Sequence, residues 1–160
     1  MKAHLKYFAY VVRHKWFVLL EGIKLGVPLW MLLLHDWDKF LPSEWLPYVQ
    51  HFYRNGRRGR TARSTGYFKA DDIGDAAFDE AVLRHIRRNK HHWEYWIDRR
   101  SRTPVIFPMP DVHRREMLAD WRGAGRAQGT SDNRGWYLAN QNRLALHSET
   151  RAWVETMLAV

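Results

Sequence analysis

His35 and Asp36 stand side by side in the string LLLHDWDKF, at the end of one of the most apolar stretches of the chain. Taking an unpaired carboxylate out of water is costly, so a buried Asp beside a buried His implies a salt bridge, a cap or a metal ion. His14 lies upstream on a stripe shared with Val11, Val18 and Glu21, where a helical hairpin would bring it against His35. Asp120 sits among Met117, Leu118 and Trp121, either on a solvated face or as a ligand. The chain has no cysteine, so it has no thiolate zinc site, no disulfide framework and no cysteine nucleophile. Any metal must be held by His, Asp or Glu.

The elements that carry these residues read as helices. Leu5, Phe8, Val12, Trp16, Leu19 and Ile23 advance by alternating steps of three and four, the period of one helix face. Gly22 and Gly26 offer ends for this helix, and Pro28 starts a second one through PLWMLLLHDWDKF. The two read as a buried pair. Pro42 stops the second helix, and Pro42 or Ser43 opens a third through EWLPYVQHFYR, with Pro47 in its first turn or at a bend. A fourth helix spans about Asp75 to Arg99, with Phe78, Val82, His85, Asn89, His92 and Trp96 on one stripe. After the connector TPVIFPMP, Asp111 caps a fifth helix, DVHRREMLADW, which Gly123 ends. One or two C-terminal helices follow a polar, glycine-rich segment. No alternating strand pattern of useful length occurs, so the expected fold is all-α, a single domain over residues 1–160 with about six to seven helices.

The 160 residues carry 26 Lys and Arg against 17 Asp and Glu, a net charge of +9 with His neutral. That balance favours phosphate-bearing partners: nucleotides, nucleic acid or anionic surfaces. The segment Arg54 to Asp72 is rich in Arg, Gly, Ser and Thr without apolar periodicity, and reads as a basic loop suited to nucleic acid. The run from Trp16 to Leu34 is broken by Glu21, Lys24, Gly26 and Pro28, short of the ~20 apolar residues a membrane span needs. No secretory signal is legible at the N-terminus, so a cytoplasmic protein without a membrane partner is expected. Nothing in the sequence sets the oligomeric state.

The order His14, then His35-Asp36, then Asp120 resembles the HD superfamily of metal-dependent phosphohydrolases, all-helical proteins named for adjacent His-Asp ligands. The resemblance implies that these four residues hold one divalent metal ion. It also implies that histidines of an intervening helix, here His85 with His92 or His91, hold a second one. On a straight helix His92 lies about 20° from His85 and His91 about 120° away, which favours His92 unless the helix ends near Asn89. HDWDK is similar to the HD-x-G-K string of some members, with Lys39 one turn after His35 and Asp38 in place of the glycine. Across nearly its whole length, through HKWFV, HDWDKF, RNKHHWEYW, EMLADWRGAG and WYLANQN, the chain also resembles a group of small proteins encoded by phages and their bacterial hosts.

Imidazole and carboxylate ligands suit Mn, Fe, Co, Ni, Zn or Mg, and such an ion lowers the pKa of bound water toward neutrality. A cation then offsets the charge that develops on phosphorus-bound oxygens, and Lys39, Arg122 and Arg126 are the candidates. Asp38 and Glu94 could act as a base or orient a ligand histidine. Trp37, Trp93, Tyr95, Trp121, Trp136 and Tyr137 could stack a nucleobase, and Asn140 could bond a base or sugar. The expected function is a metal-dependent hydrolase of a nucleoside mono- or triphosphate. A phosphodiesterase on a cyclic or oligomeric nucleotide, a structural metal site and a module binding nucleic acid or a host protein are the alternatives, and the HD resemblance also implies a mixed-valence di-iron oxidase as one.

Overall fold

In the computed structural model of the protein, residues 1–54 and 75–160 are described. Helix α1 spans Lys2–Lys24 and buries Tyr7, Val11, His14, Val18, Glu21 and Gly22. This is the stripe that contains His14. The more apolar stripe instead faces outward: Leu5, Phe8, Val12, Trp16 and Ile23 are all about half exposed or more. Gly26, at φ 71°, takes the left-handed turn that ends the first helical segment. Helix α2, Leu29–Leu34, buries only Met31 and Leu32, and Leu29, Trp30, Leu33 and Leu34 stay exposed. The two helices are therefore packed on one side only, not buried as a pair.

Helix α2 stops earlier than its apolar run implies. His35 is extended, at ψ 127°, and Asp36 is left-handed, at φ 53°. A 3₁₀ turn over Trp37–Phe40 follows. Asp tolerates the left-handed region better than most residues because its short side chain can be satisfied locally, yet the conformation still costs on the order of 1 kcal/mol. The His-Asp pair thus sits at a break between helical segments. Helix α3, Pro42–Val49, begins with Pro at its first position and carries Pro47 in its interior. Since Pro47 has no N–H, the helix loses a bond there, and a π-helical turn, Gln50–Arg54, follows at once.

Helix α4 spans Ala76–Arg88, capped by Asp75, whose carboxylate accepts from the Phe78 N–H. It ends eleven residues before Arg99 because Asn89 competes for its last turn: the Asn89 amide donates to the His85 carbonyl at 2.9 Å and to Asp38 at 2.8 Å. A 3₁₀ turn, Trp93–Trp96, leads into two short strands, β1 (Ile97–Asp98) and β2 (Val105–Ile106), paired antiparallel. The proline-rich connector therefore holds a small hairpin in place of the last helical turns.

Helix α5, Asp111–Gln128, runs past Gly123 and ends at Gly129, which has φ 88°. Gly123 serves the packing of α5 on α1: a Cβ there would lie 2.5 Å from Val18 Cγ2 and 2.8 Å from the Val18 backbone nitrogen. The close crossing sets His14, one turn before Val18, against Asp120, one turn before Gly123. Helices α6 (Asn133–Asn140) and α7 (Ser148–Leu158) complete seven α-helices among the described residues. They close the main core, where Met117, Leu118, Tyr137 and Val154 are nearly fully buried. No helix of the described residues is long and apolar enough to cross a membrane.

Gly123→Ala must push α1 and α5 apart because the nearest atoms include backbone. The expected loss is about 2 to 3 kcal/mol of unfolding free energy, read from the urea midpoint, with α1 and α5 displaced where His14 meets Asp120.

Candidate metal centre

Three elements deliver one set of ligand atoms. His14 comes from α1, His35 and Asp36 from the break after α2, and Asp120 from α5. His14 Nε2 lies 3.3 Å from Asp36 Oδ2 and 3.2 Å from Asp120 Oδ1, and His35 Nε2 lies 3.5 and 3.6 Å from the same two oxygens. Metal–ligand bonds of about 2.0 to 2.2 Å put adjacent ligand atoms roughly 3 to 3.5 Å apart, so these separations fit the edges of a coordination shell. The Nε2 atoms of His14 and His35 are buried and make no hydrogen bond. Two imidazole nitrogens left in this way beside two carboxylates are a donor set for a divalent cation.

A second set shares Asp36. Its other oxygen, Oδ1, is 3.3 Å from His85 Nε2 and 3.4 Å from His91 Nε2. His92 belongs to the same group, all of whose ligand atoms lie within 4.8 Å of one another. Because α4 ends at Arg88, the straight-helix argument for His92 over His91 does not apply. The turn after Asn89 brings both histidines to Asp36, His91 being the more deeply buried.

Behind the histidines stand carboxylates that fix which nitrogen points inward. His35 Nδ1 is 3.1 Å from Glu116 Oε1, and His91 Nδ1 is 3.5 Å from the same oxygen. His85 Nδ1 is 3.1 Å from Asp38 and 3.2 Å from Glu44. Such contacts hold each ring with Nε2 toward Asp36, where a cation would be bound. Asp38, the glycine replacement in HDWDK, thus touches His85 from a fully buried position. Glu116, Glu44 and Asn89 were not singled out in the sequence as site residues. Glu116 could have been, since it lies one helical turn before Asp120; Glu44 carries no such signal in PSEW.

The electrostatics follow from burial among opposite charges. Burial alone would raise Asp36 and Asp120, yet both are held well below the usual carboxylate range, Asp36 by His35, Lys39 and His85, and Asp120 by His14 and His35. Burial likewise opposes charge on the histidines, but facing carboxylates raise His14 and His85 above the ordinary histidine value and lift His91 to about 9. Lys39, 2.7 Å from Asp36 Oδ2, is pushed well above its usual value against its own burial. Protons on imidazole supply the compensating charge that a metal ion would otherwise bring.

Both sets open on a cavity of about 220 Å³ whose wall includes His14, His85, His91, His92, Asp120 and Lys39. Half of its other residues are aromatic: Tyr48, Phe52 and Phe78 pack together on one side, and Trp121 and Trp136, 5.0 Å apart, belong to the wall as well. Trp93 and Glu94 also line it, whereas Trp37, Tyr95, Tyr137 and Asn140 do not. The Tyr137 hydroxyl is engaged by Glu155 and Arg151 in the C-terminal core, and Asn140 donates to the Trp136 carbonyl. The two arginine candidates are also committed elsewhere. Arg122 donates to the Met157 carbonyl and Arg126 to Glu21 at 2.6 Å. Among the described residues Lys39 is the only Lys or Arg of the wall. The expected basic loop, beyond Arg54, lies outside the described residues.

In metal-free protein, protonated His91 contributes stability that is complete below the unfolded histidine pKa near 6.5 and is lost as pH rises through about 9. Chelator-treated protein should therefore melt at lower temperature at pH 10 than at pH 7, His91 alone contributing on the order of 3 kcal/mol. With Mn or Zn added the metal displaces these protons, so metal-induced stabilisation should instead weaken as pH falls. Differential scanning calorimetry with and without chelator across pH 5 to 10 checks both slopes.

Comparison with known proteins adds a family but no activity. No curated protein matches the chain. No solved structure matches it either. Residues 3–160, nearly the full length, match a family model. The chain belongs to that family, DUF5662, described as a family of unknown function.

Proposed function

We propose that the protein is a metal-dependent phosphohydrolase acting on a nucleotide, a nucleoside mono- or triphosphate. The observation that carries this reading is Asp36, which offers one carboxylate oxygen to His14 and His35 and the other to His85 and His91 at the wall of an aromatic cavity. With one carboxylate common to two donor sets, these residues would hold one or two divalent ions, Mn, Fe, Co, Ni, Zn or Mg. Bound there, such ions would supply Lewis acidity and acidify a bound water.

The chain's own residues do the rest. Asp36 and Asp120 provide the anionic charge, while Glu116, Asp38 and Glu44 hold the histidine rings in register. Lys39 is mostly buried and carries its charge at the edge of the cluster, where it can bind a phosphoryl oxygen as negative charge builds. The Tyr7 hydroxyl, buried in the same wall without a hydrogen bond, stays protonated because burial raises its pKa, so it is available as a second donor. The aromatic walls suit a nucleobase, and stacking there is worth ~1 to 3 kcal/mol. A cavity of about 220 Å³ lies below the ~300 to 1,000 Å³ of ordinary small-molecule sites and has no room for an oligonucleotide. That favours the phosphomonoesterase or pyrophosphohydrolase reading over the phosphodiesterase one.

Metal analysis of untagged protein by plasma mass spectrometry, followed by a hydrolysis screen over nucleoside mono- and triphosphates, tests this. Wild type should carry one or two transition-metal equivalents, which Asp36→Ala loses together with all turnover. Lys39→Met should keep the metal and lower kcat by ~100-fold or more. A wild-type protein that binds none of these metals, and instead binds nucleic acid with steep salt dependence, would replace hydrolysis with a binding role carried by the +9 charge.

A further inference from the structure

Helix α1 has two apolar sides, and only one is used by the fold. His14, Val11 and Val18 point into the cluster and core, while Val12 and Trp16 stand nearly opposite on the wheel and are 46% and 56% exposed. Helix α2 lies along the same side. The Lys15 ammonium reaches across to donate to the Leu33 and His35 carbonyls, and Trp30 and Leu33 turn outward at 64% and 62% exposure. The surface continues toward α3 through Phe8, whose ring meets Phe40 at 6.4 Å.

Five large apolar side chains of α1 and four of α2 are exposed on these two helices. Half-open side chains of that size leave on the order of 1,000 Å² uncovered. The largest apolar patch on an ordinary monomer is ~300 to 600 Å², and each partner in a standard stable complex buries ~800 Å². We propose that this face, centred on Val12 and Trp16 of α1 and Leu33 of α2, is covered by the same face of a second copy of the chain in a twofold dimer.

Charge separates a second copy from a lipid surface as the occupant. Lys2, Lys6, Arg13 and Lys24 follow one edge of the α1 stripe, but from Leu25 to Asp36 there is no Lys or Arg at all. A membrane-bound face needs basic residues around its apolar centre to meet anionic headgroups. Here the α2 half has none of its own, the one ammonium that reaches it, that of Lys15, is taken up by the Leu33 and His35 carbonyls, and each apolar side chain lies about half-sunk in the helical surface. Such a surface matches the uncharged centre of a homodimer interface, and closed twofold pairing is its commonest form. The dimer leaves the cavity open, since His14, Tyr7 and Tyr10 lie on the other side of α1. This inference does not depend on the hydrolase reading.

Sedimentation equilibrium of wild type from 0.5 to 50 μM should give twice the 19.2 kDa chain mass. Trp16→Glu and Leu33→Lys, at positions the monomer does not need buried, should halve that mass through self-association at least about 100-fold weaker. Circular dichroism and metal content should stay as in wild type. Should either variant misfold, Val12→Cys in this cysteine-free chain provides a second reading. It should cross-link to a dimer under mild oxidation at 0.5 μM, whereas Arg99→Cys, exposed beyond the strand β1, should not. A wild type of single-chain mass at 50 μM overturns the proposal, as does a dimer that persists in both folded charge variants. So does single-chain protein that sediments with phosphatidylglycerol vesicles but not with phosphatidylcholine ones, which would assign the face to a membrane.

Discussion

The Asp36 carboxylate is 1% exposed, and a charge so far from water is tolerated only where other charges surround it. Four histidines and a lysine do so: His14, His35, His85, His91 and Lys39 all place a nitrogen within 3.5 Å of one of its oxygens. These residues come from three separate stretches of the chain, so the compensation of one side chain ties α1, the break and 3₁₀ turn after α2, and the end of α4 with the turn that follows it to a single point. Asp36 itself accepts a left-handed backbone to reach it. A structural ion-pair network alone would explain the attraction, but it would also be expected to hydrogen-bond its inner nitrogens, and those of His14, His35, His85 and His91 have no such bond.

A second layer makes the first one stiff. Glu116 faces His35 and His91, which belong to different donor sets, and so couples them through one carboxylate. On the opposite side Asp38 and Glu44 converge on His85, and Arg88 neutralises Glu44 at 2.9 Å. Asn89 joins this group by bonding Asp38 while it terminates α4. The residue that ends the helix is thus also the one that frees His91 and His92 to turn back toward Asp36. Helix length and ligand geometry are set by the same amide.

Periodicity made the helices legible, and the adjacency of His35 and Asp36 in an apolar run marked the region of the site. Two kinds of information were not in the pattern. Apolar spacing on α1 gives a stripe but not its direction, and the more apolar stripe is the outward one because the inner stripe is occupied by His14 and Glu21. Gly123 looked like a stop signal, yet its lack of a side chain is used for contact with Val18, which only tertiary placement can show. Likewise Arg122 and Arg126 are two and six residues from Asp120 in sequence but leave the site for a carbonyl of α7 and for Glu21. Spacing along a helix fixes which residues share a face, not which partner a long side chain will choose.

The double use of α1 explains why its composition reads as almost uniformly apolar and basic. At 100° per residue Val12 and Trp16 lie about 160° from His14, so one helix can serve the cluster on one side and a flat apolar surface on the other without competition for positions. Its only carboxylate, Glu21, is neutralised by Lys24 and Arg126 and contributes no exposed negative charge. A helix apolar on both sides presents one of them as exposed apolar surface unless something beyond its own chain covers it. The fold covers the His14 side through α5 and Gly123, and the Trp16 side is left for contact beyond the single chain. Packing at the site therefore places a demand on the outer surface: the closer α5 and α2 hold α1 by its inner face, the more rigidly the outer one is presented.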